Sequence, residues 1–146
     1  EEKWKLVYKE IAKKGITGIS GVIDLINKLR SAGYVLGIGS TTNLKFIENV
    51  LKKLKILKKF AVISSGDEVK KGKPNPEIFL SVSSKLNVVP QYCLVIEDAP
   101  NGIKAAKAAG MKCIAITTSV TRDKLQEADC VIDSFNELTI NHIKSL

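Results

Sequence analysis

Residues 93–118 read CLVIEDAPNGIKAAKAAGMKCIAITT, and the order of patterns within them decides the fold. A nearly unbroken apolar run, 93–97, ends beside the carboxylates Glu97 and Asp98. Past Pro100 a helix of small residues is predicted over 101–109, stopped by Gly110. A second apolar run, 112–118, follows at once. Strands that are apolar on both faces and joined by a helix predict a parallel pair in a sheet covered on both sides.

The same alternation extends in both directions. Upstream, strands are predicted at 34–40 (YVLGIGS) and 61–65 (AVISS), and downstream at 130–133 (CVID). Helices are predicted over about 21–31, 43–54 and 76–86, near 121–127 and near 135–144. The first stops at Gly33, and Pro76 opens the third, where a first-turn proline is at home. Segment 66–76, rich in Gly, Pro and Lys, reads as a loop. The fold class is therefore α/β, a doubly wound parallel sheet. Trp4, Val7, Tyr8 and Ile11 fall at helical spacing in an appendage over 1–15, and 16–146 forms the main body.

At 146 residues the chain suits one domain, burying roughly two thirds of its unfolded surface. Apolar residues at 45% and charged residues at 26% describe a globular chain rather than a disordered one. No apolar run approaches the roughly 20 residues a bilayer span requires, so no membrane role is expected. The first residues, Glu-Glu-Lys-Trp, match neither a signal nor a transit peptide. The net charge of +8 comes almost entirely from lysine. Its densest run, KKLKILKK at 52–59, fits a helix end entering a turn and carries no aromatics for base stacking, so no nucleic-acid partner is expected. Cys93, Cys113 and Cys130 are odd in number and lack CxxC spacing, which speaks against disulfides and zinc and for a reducing, cytoplasmic setting. The single histidine, His142, has no evident partner for nucleophilic catalysis.

In an open parallel sheet chemistry gathers at the carboxyl ends of the strands, and three of those ends carry suitable groups. Strand 34–40 runs into Ser40-Thr41-Thr42-Asn43, where a hydroxyl and backbone N–H groups at a helix start can cradle phosphate. Ordinary helix capping explains the same residues. After strand 61–65 comes Lys73, held between Gly72 and Pro74; it is either a phosphate-binding charge or one solvated lysine among Lys70, Lys71 and Lys73. After strand 93–97 come Glu97 and Asp98, adjacent carboxylates that repel unless a cation intervenes. Mg2+, a hard oxygen-seeking ion, meets that need, and capping of helix 101–109 by Asp98 or Asn101 is the alternative.

Taken together, in this order, these groups resemble the haloacid dehalogenase superfamily, and within it the β-phosphoglucomutase-like phosphatases and mutases. The likeness runs from Gly21 to Leu138 and rests on GIGSTTN (37–43), KKGKPNPEIF (70–79), VIEDAPNGIKAAKAAGMKCIAI (95–116) and ADCVIDSFNEL (128–138). It implies a Rossmann-like core over 16–146 and, over 1–15, the last helix of a cap domain otherwise absent. It implies that Ser40 and the Thr41 N–H bind the transferring phosphoryl group, that Lys73 stabilises its charge, and that Asp98 and Glu97 hold Mg2+. The activity implied is Mg-dependent phosphoryl transfer through a phosphoaspartyl intermediate, hydrolysing a small phosphorylated metabolite such as a sugar phosphate.

One family element has no match. The nucleophile belongs to an Asp-x-Asp motif on a central strand, and this chain contains no such motif. The expectation is a gap between the strands at 34–40 and 93–97, about one strand (~5 Å) from each neighbour. A missing N-terminal segment, in cis or in trans, would then fill it, and this chain alone would be inactive. The alternatives are a phosphomutase acting on a sugar phosphate and a noncatalytic phosphate- and Mg-binding homologue. A receiver-type binding module would place its acids before the hydroxyl and lysine, the reverse of the order here.

Overall fold

The computed structural model describes residues 15–146; the helix expected within 1–15 lies, but for Gly15, outside the described residues. The described residues form five α-helices and five strands, alternating except that only a 3-10 turn separates β4 from β5: α1 Val22–Ser31, β1 Gly37–Gly39, α2 Leu44–Lys53, β2 Val62–Ser64, α3 Glu77–Leu86, β3 Leu94–Glu97, α4 Pro100–Ala108, β4 Lys112–Ile116, β5 Cys130–Ile132 and α5 Ile140–Lys144. Every strand pairing is parallel.

The strands form two sheets. β1 pairs with β2, Ile38 opposite Ile63, and the other sheet has the order β3-β4-β5, with Ile96 opposite Ile114 and Ile116 opposite Ile132. Among the described residues no ladder joins β1 to β3, which is where the gap was expected. Central β4 buries Cys113 through Ile116, whereas β1 and most of β3 are only half-buried.

Side chains alternate between two faces, as the pleat requires. Val95, Cys113 and Ala115 pack with Ile78, Phe79, Ile103, Ala105 and Ala106 of α3 and α4. Ile114, Ile116 and Ile132 turn to the opposite face, against Leu25 and Leu29 of α1 and Ile143 of α5. Leu36 of the segment before β1 and Ile96 of β3 edge that same cluster, so the two sheets share a core without sharing hydrogen bonds. Each fully buried aliphatic side chain contributes about 1.5–3 kcal/mol, and Ile78, Ile103, Ile114 and Leu125 are all of that kind.

Two predicted helices differ from expectation. Residues 121–127 form only a 3-10 turn, Arg122–Leu125, with Leu125 its single buried residue. The stretch 135–144 divides into a 3-10 turn, Phe135–Glu137, and α5. Ser134 and Glu137 form a capping box, and the Thr139 side chain caps α5 anew at His142 N. These local side-chain bonds outcompete one continuous helix.

Candidate active site

Ser40 sits just past β1, its N–H donating to the Ser64 carbonyl at 3.0 Å. Its hydroxyl accepts from Thr42 N at 3.2 Å, while Asn43 does the helix capping, accepting from Phe46 N at 2.9 Å. Ser40 thus holds the bend of the loop at Thr41 and Thr42 and is not the cap of α2. The next strand end grips that loop. Gly66 N donates to the Thr42 carbonyl at 2.9 Å, Asp67 accepts from Leu44 N at 2.8 Å, and a Cβ on Gly66 would overlap the Thr41 carbonyl. Neither Gly66 nor Asp67 is among the site candidates that the sequence offers, because their contacts with the Ser40 loop join segments distant in sequence.

Lys73 is not a solvated lysine. Its side chain is 17% exposed, pairs with the Glu97 carboxylate, and lies 4.6 Å from the centroid of the Phe79 ring. Cation and ring attract through the ring's quadrupole. The loop that carries Lys73 is tied to the start of α3: Glu77 accepts from Lys70 N and Lys71 N, both at 3.0 Å. Those two N–H groups hold the Glu77 carboxyl below its usual range. Glu77 stood in the quoted KPNPEIF segment, but its clamping role depends on loop geometry that spacing does not reveal.

The adjacent carboxylates Glu97 and Asp98 have different surroundings. Both Glu97 oxygens are engaged: Oε1 with Lys73, and Oε2 with Asp98 N at 2.9 Å and Ala99 N at 3.1 Å. Gly102 of α4 makes room for this carboxylate. Asp98 does not cap α4, whose N-cap is Ala99 with no side-chain bond. Instead Asp98 Oδ2 accepts from the Ser119 hydroxyl, in the loop after β4. That loop and Asp133 frame a depression of about 390 Å³. Ser119 has no sequence signal: it lies 21 positions from its partner.

Among the described residues no three His, Cys, Asp or Glu side chains form a metal cage. The donor set fits Mg2+ nonetheless, because this ion is usually held by one or two carboxylates together with waters and phosphate oxygens. Asp98 Oδ1 is open to it, since no other described residue bonds that carboxylate. Away from these strand ends, His142 Nε2 lies 3.8 Å from Cys130 Sγ, so the histidine read as partnerless has a neighbour across β5 and α5.

Fold and strand-end groups together define a doubly wound α/β core with a polar, charged site on its carboxyl side. The profile of the haloacid dehalogenase-like hydrolases matches residues 1–116, and the chain belongs to that family. It is 36% identical over 134 residues to phosphoglycolate phosphatase of Salmonella typhimurium, covering 90% of this chain and 53% of that protein. Among solved structures, β-phosphoglucomutase from Clostridium difficile superposes with a TM-score of 0.80 at 35% identity, covering 87% of this chain and 55% of that one. CbbY from Rhodobacter sphaeroides in complex with phosphate gives 0.77 at 34% identity, with 82% and 55% covered. The chain therefore spans about half the length of the relatives it matches. No helix among the described residues is long and apolar enough to cross a membrane.

Proposed function

We propose that this chain carries the phosphate-gripping and cation-holding part of a Mg2+-dependent phosphotransfer site. The full-length protein would hydrolyse a small phosphate ester, such as a sugar phosphate, in the cytoplasm. The observation that carries this reading is the fixed Lys73, held on Glu97 and Phe79 beside Asp98. A lysine so restrained meets a phosphoryl group with its charge already in place, the kind of preorganisation on which phosphoryl transfer depends.

In this assignment Ser40 Oγ and the Thr41 N–H bind phosphoryl oxygens, and Lys73 stabilises their charge. Asp98 is the Mg2+ ligand. Glu97, an expected co-ligand, has both oxygens engaged and is assigned to orienting Lys73. Bound Mg2+ would neutralise phosphoryl charge. The nucleophile would be an aspartate on a strand between β1 and β3, supplied by a segment beyond residues 1–146, in cis or in trans. The lack of a ladder between β1 and β3 among the described residues supports that position. The phosphoryl group would pass to that aspartate and then to water. The likeness to β-phosphoglucomutase favours, as a second reading, a sugar hydroxyl as acceptor.

The test is turnover of phosphoglycolate and of glucose 1-phosphate by the full-length protein. Activity that requires Mg2+ and disappears in Asp98→Asn is expected. Turnover indifferent to Mg2+ would exclude the assignment, and binding of Mg2+ and phosphate without turnover would identify a noncatalytic homologue.

A further inference from the structure

The two acidic side chains at the end of β3 are held by different means. Glu97 is fixed by two backbone N–H groups and a lysine. Among the described residues no backbone N–H donates to the Asp98 carboxylate, and its one side-chain bond comes from Ser119. We propose that Ser119 is a positioning residue that holds the Asp98 carboxylate in the orientation needed to bind the divalent cation. The proposal deepens the phosphotransfer reading and rests on it.

A hydroxyl carries a single O–H donor. Directed at Oδ2, it fixes the carboxylate plane and leaves Oδ1 for the ion. The bond does not serve helix α4, because Asp98 is not its cap. Ser119 is itself exposed, so its placement depends on the loop around it, and that loop is tied at both ends to one residue. On one side Thr117 N donates to the Ile132 carbonyl at 3.1 Å, and Thr117 Oγ1 donates to Asp133 Oδ1 at 2.8 Å. On the other, the Arg122 guanidinium donates to the Val131 carbonyl at 2.9 Å and to Asp133 Oδ2 at 2.8 Å. Val120 adds apolar anchorage against the α3 and α4 cluster. The end of β5 thus braces a loop whose middle residue bonds Asp98. A loop needing only to be fastened has those anchors already, and the Ser119 hydroxyl goes instead to the open carboxylate.

Partners that orient a metal ligand typically change ion affinity by 10–100-fold when removed. The experiment is Mn2+ binding, followed by the EPR signal of the free ion, in the full-length protein and its variants. Ser119→Ala should weaken Mn2+ by about tenfold while thermal unfolding stays with that of the wild type, and Ser119→Thr, which keeps the hydroxyl, should recover most of the affinity. Arg122→Gln, which releases the far end of the loop and leaves Ser119 in place, should weaken Mn2+ in the same direction. Wild-type affinity in both Ser119→Ala and Arg122→Gln, alongside loss in Asp98→Asn, overturns the role of Ser119 and leaves the site reading intact. Unchanged affinity in Asp98→Asn overturns the site reading itself, and this proposal with it.

Discussion

Gly102, in the first turn of α4, lies so close over the Glu97 side chain that any Cβ there would occupy the space of the carboxylate. The backbone of α4 thereby closes the pocket that holds Glu97 against Lys73 and against the N–H groups of Asp98 and Ala99. Gly102→Ala should expel the carboxylate and release the lysine. Overpacking of this kind costs about 1–3 kcal/mol, readable as a lower urea midpoint with an unchanged slope. A variant as stable as the wild type would show that Glu97 can move aside without loss.

Lys73→Met separates charge from packing. Methionine keeps an apolar stem against Phe79 but leaves Glu97, 10% exposed, without its cation. An unsatisfied group of that kind costs about 1–3 kcal/mol. Under the proposed role, turnover by the full-length protein should fall by about 100- to 1,000-fold, the usual effect of removing one preorganised donor. Loss of stability with wild-type turnover would reduce Lys73 to a structural partner of Glu97.

The order of elements was legible because each apolar run and each helix repeat records burial directly. Leu94 to Ile96 and Cys113 to Ile116 read as strands on apolar continuity alone, and both are strands. The strand predicted over 34–40 shrinks to Gly37–Gly39, since only those residues have ladder partners on β2, and among the described residues the other edge of β1 has no ladder. Periodicity failed where a helix depends on one buried residue, as at Leu125, or where Ser134 and Thr139 start the backbone afresh. Lys73 and Asp98 were readable as candidates because they follow strand ends. The differing surroundings of Glu97 and Asp98 were not, because adjacent carboxylates look alike until Lys73 and Ser119 arrive from distant loops.

Asp129 ties the start of β5 to α4 and β4. Both its oxygens accept from Lys107 Nζ at 2.8 Å, and Oδ2 also accepts from Cys113 N at 2.8 Å. Burial pulls its pKa up, but Lys107, the Cys113 N–H and Lys112 outweigh burial and leave the carboxyl below its ordinary 3.8. A depressed folded-state pKa stabilises the fold above the unfolded value, and the contribution is lost as pH falls through the folded value. Asp129→Asn should therefore cost about 1–3 kcal/mol at neutral pH. The gap to wild type should narrow only below about pH 4. Urea unfolding of both proteins from about pH 7 to about pH 2.5 measures this. A gap that already closes between about pH 7 and pH 5 would rule out Asp129 as its source.

Cys113 lies on β4 with no exposed surface, inside the cluster formed with α3 and α4. Burial, reinforced by the negative charges of Glu97 and Asp129, pushes its thiol up to about 12. The thiolate is the reacting species, and at about pH 8 a thiol with such a pKa is ionised in roughly one molecule in ten thousand. Cys93 and Cys130 are both partly exposed, so the three thiols divide by access. Titration of the folded protein with an aromatic disulfide reagent should leave Cys113 unreacted on the timescale in which Cys93 and Cys130 are consumed. Its modification should then follow the rate of unfolding and rise with denaturant, and Cys113→Ala should remove that slow phase alone. Rapid labelling of Cys113 in the folded protein would mean that the β4 face opens far more often than its packing implies.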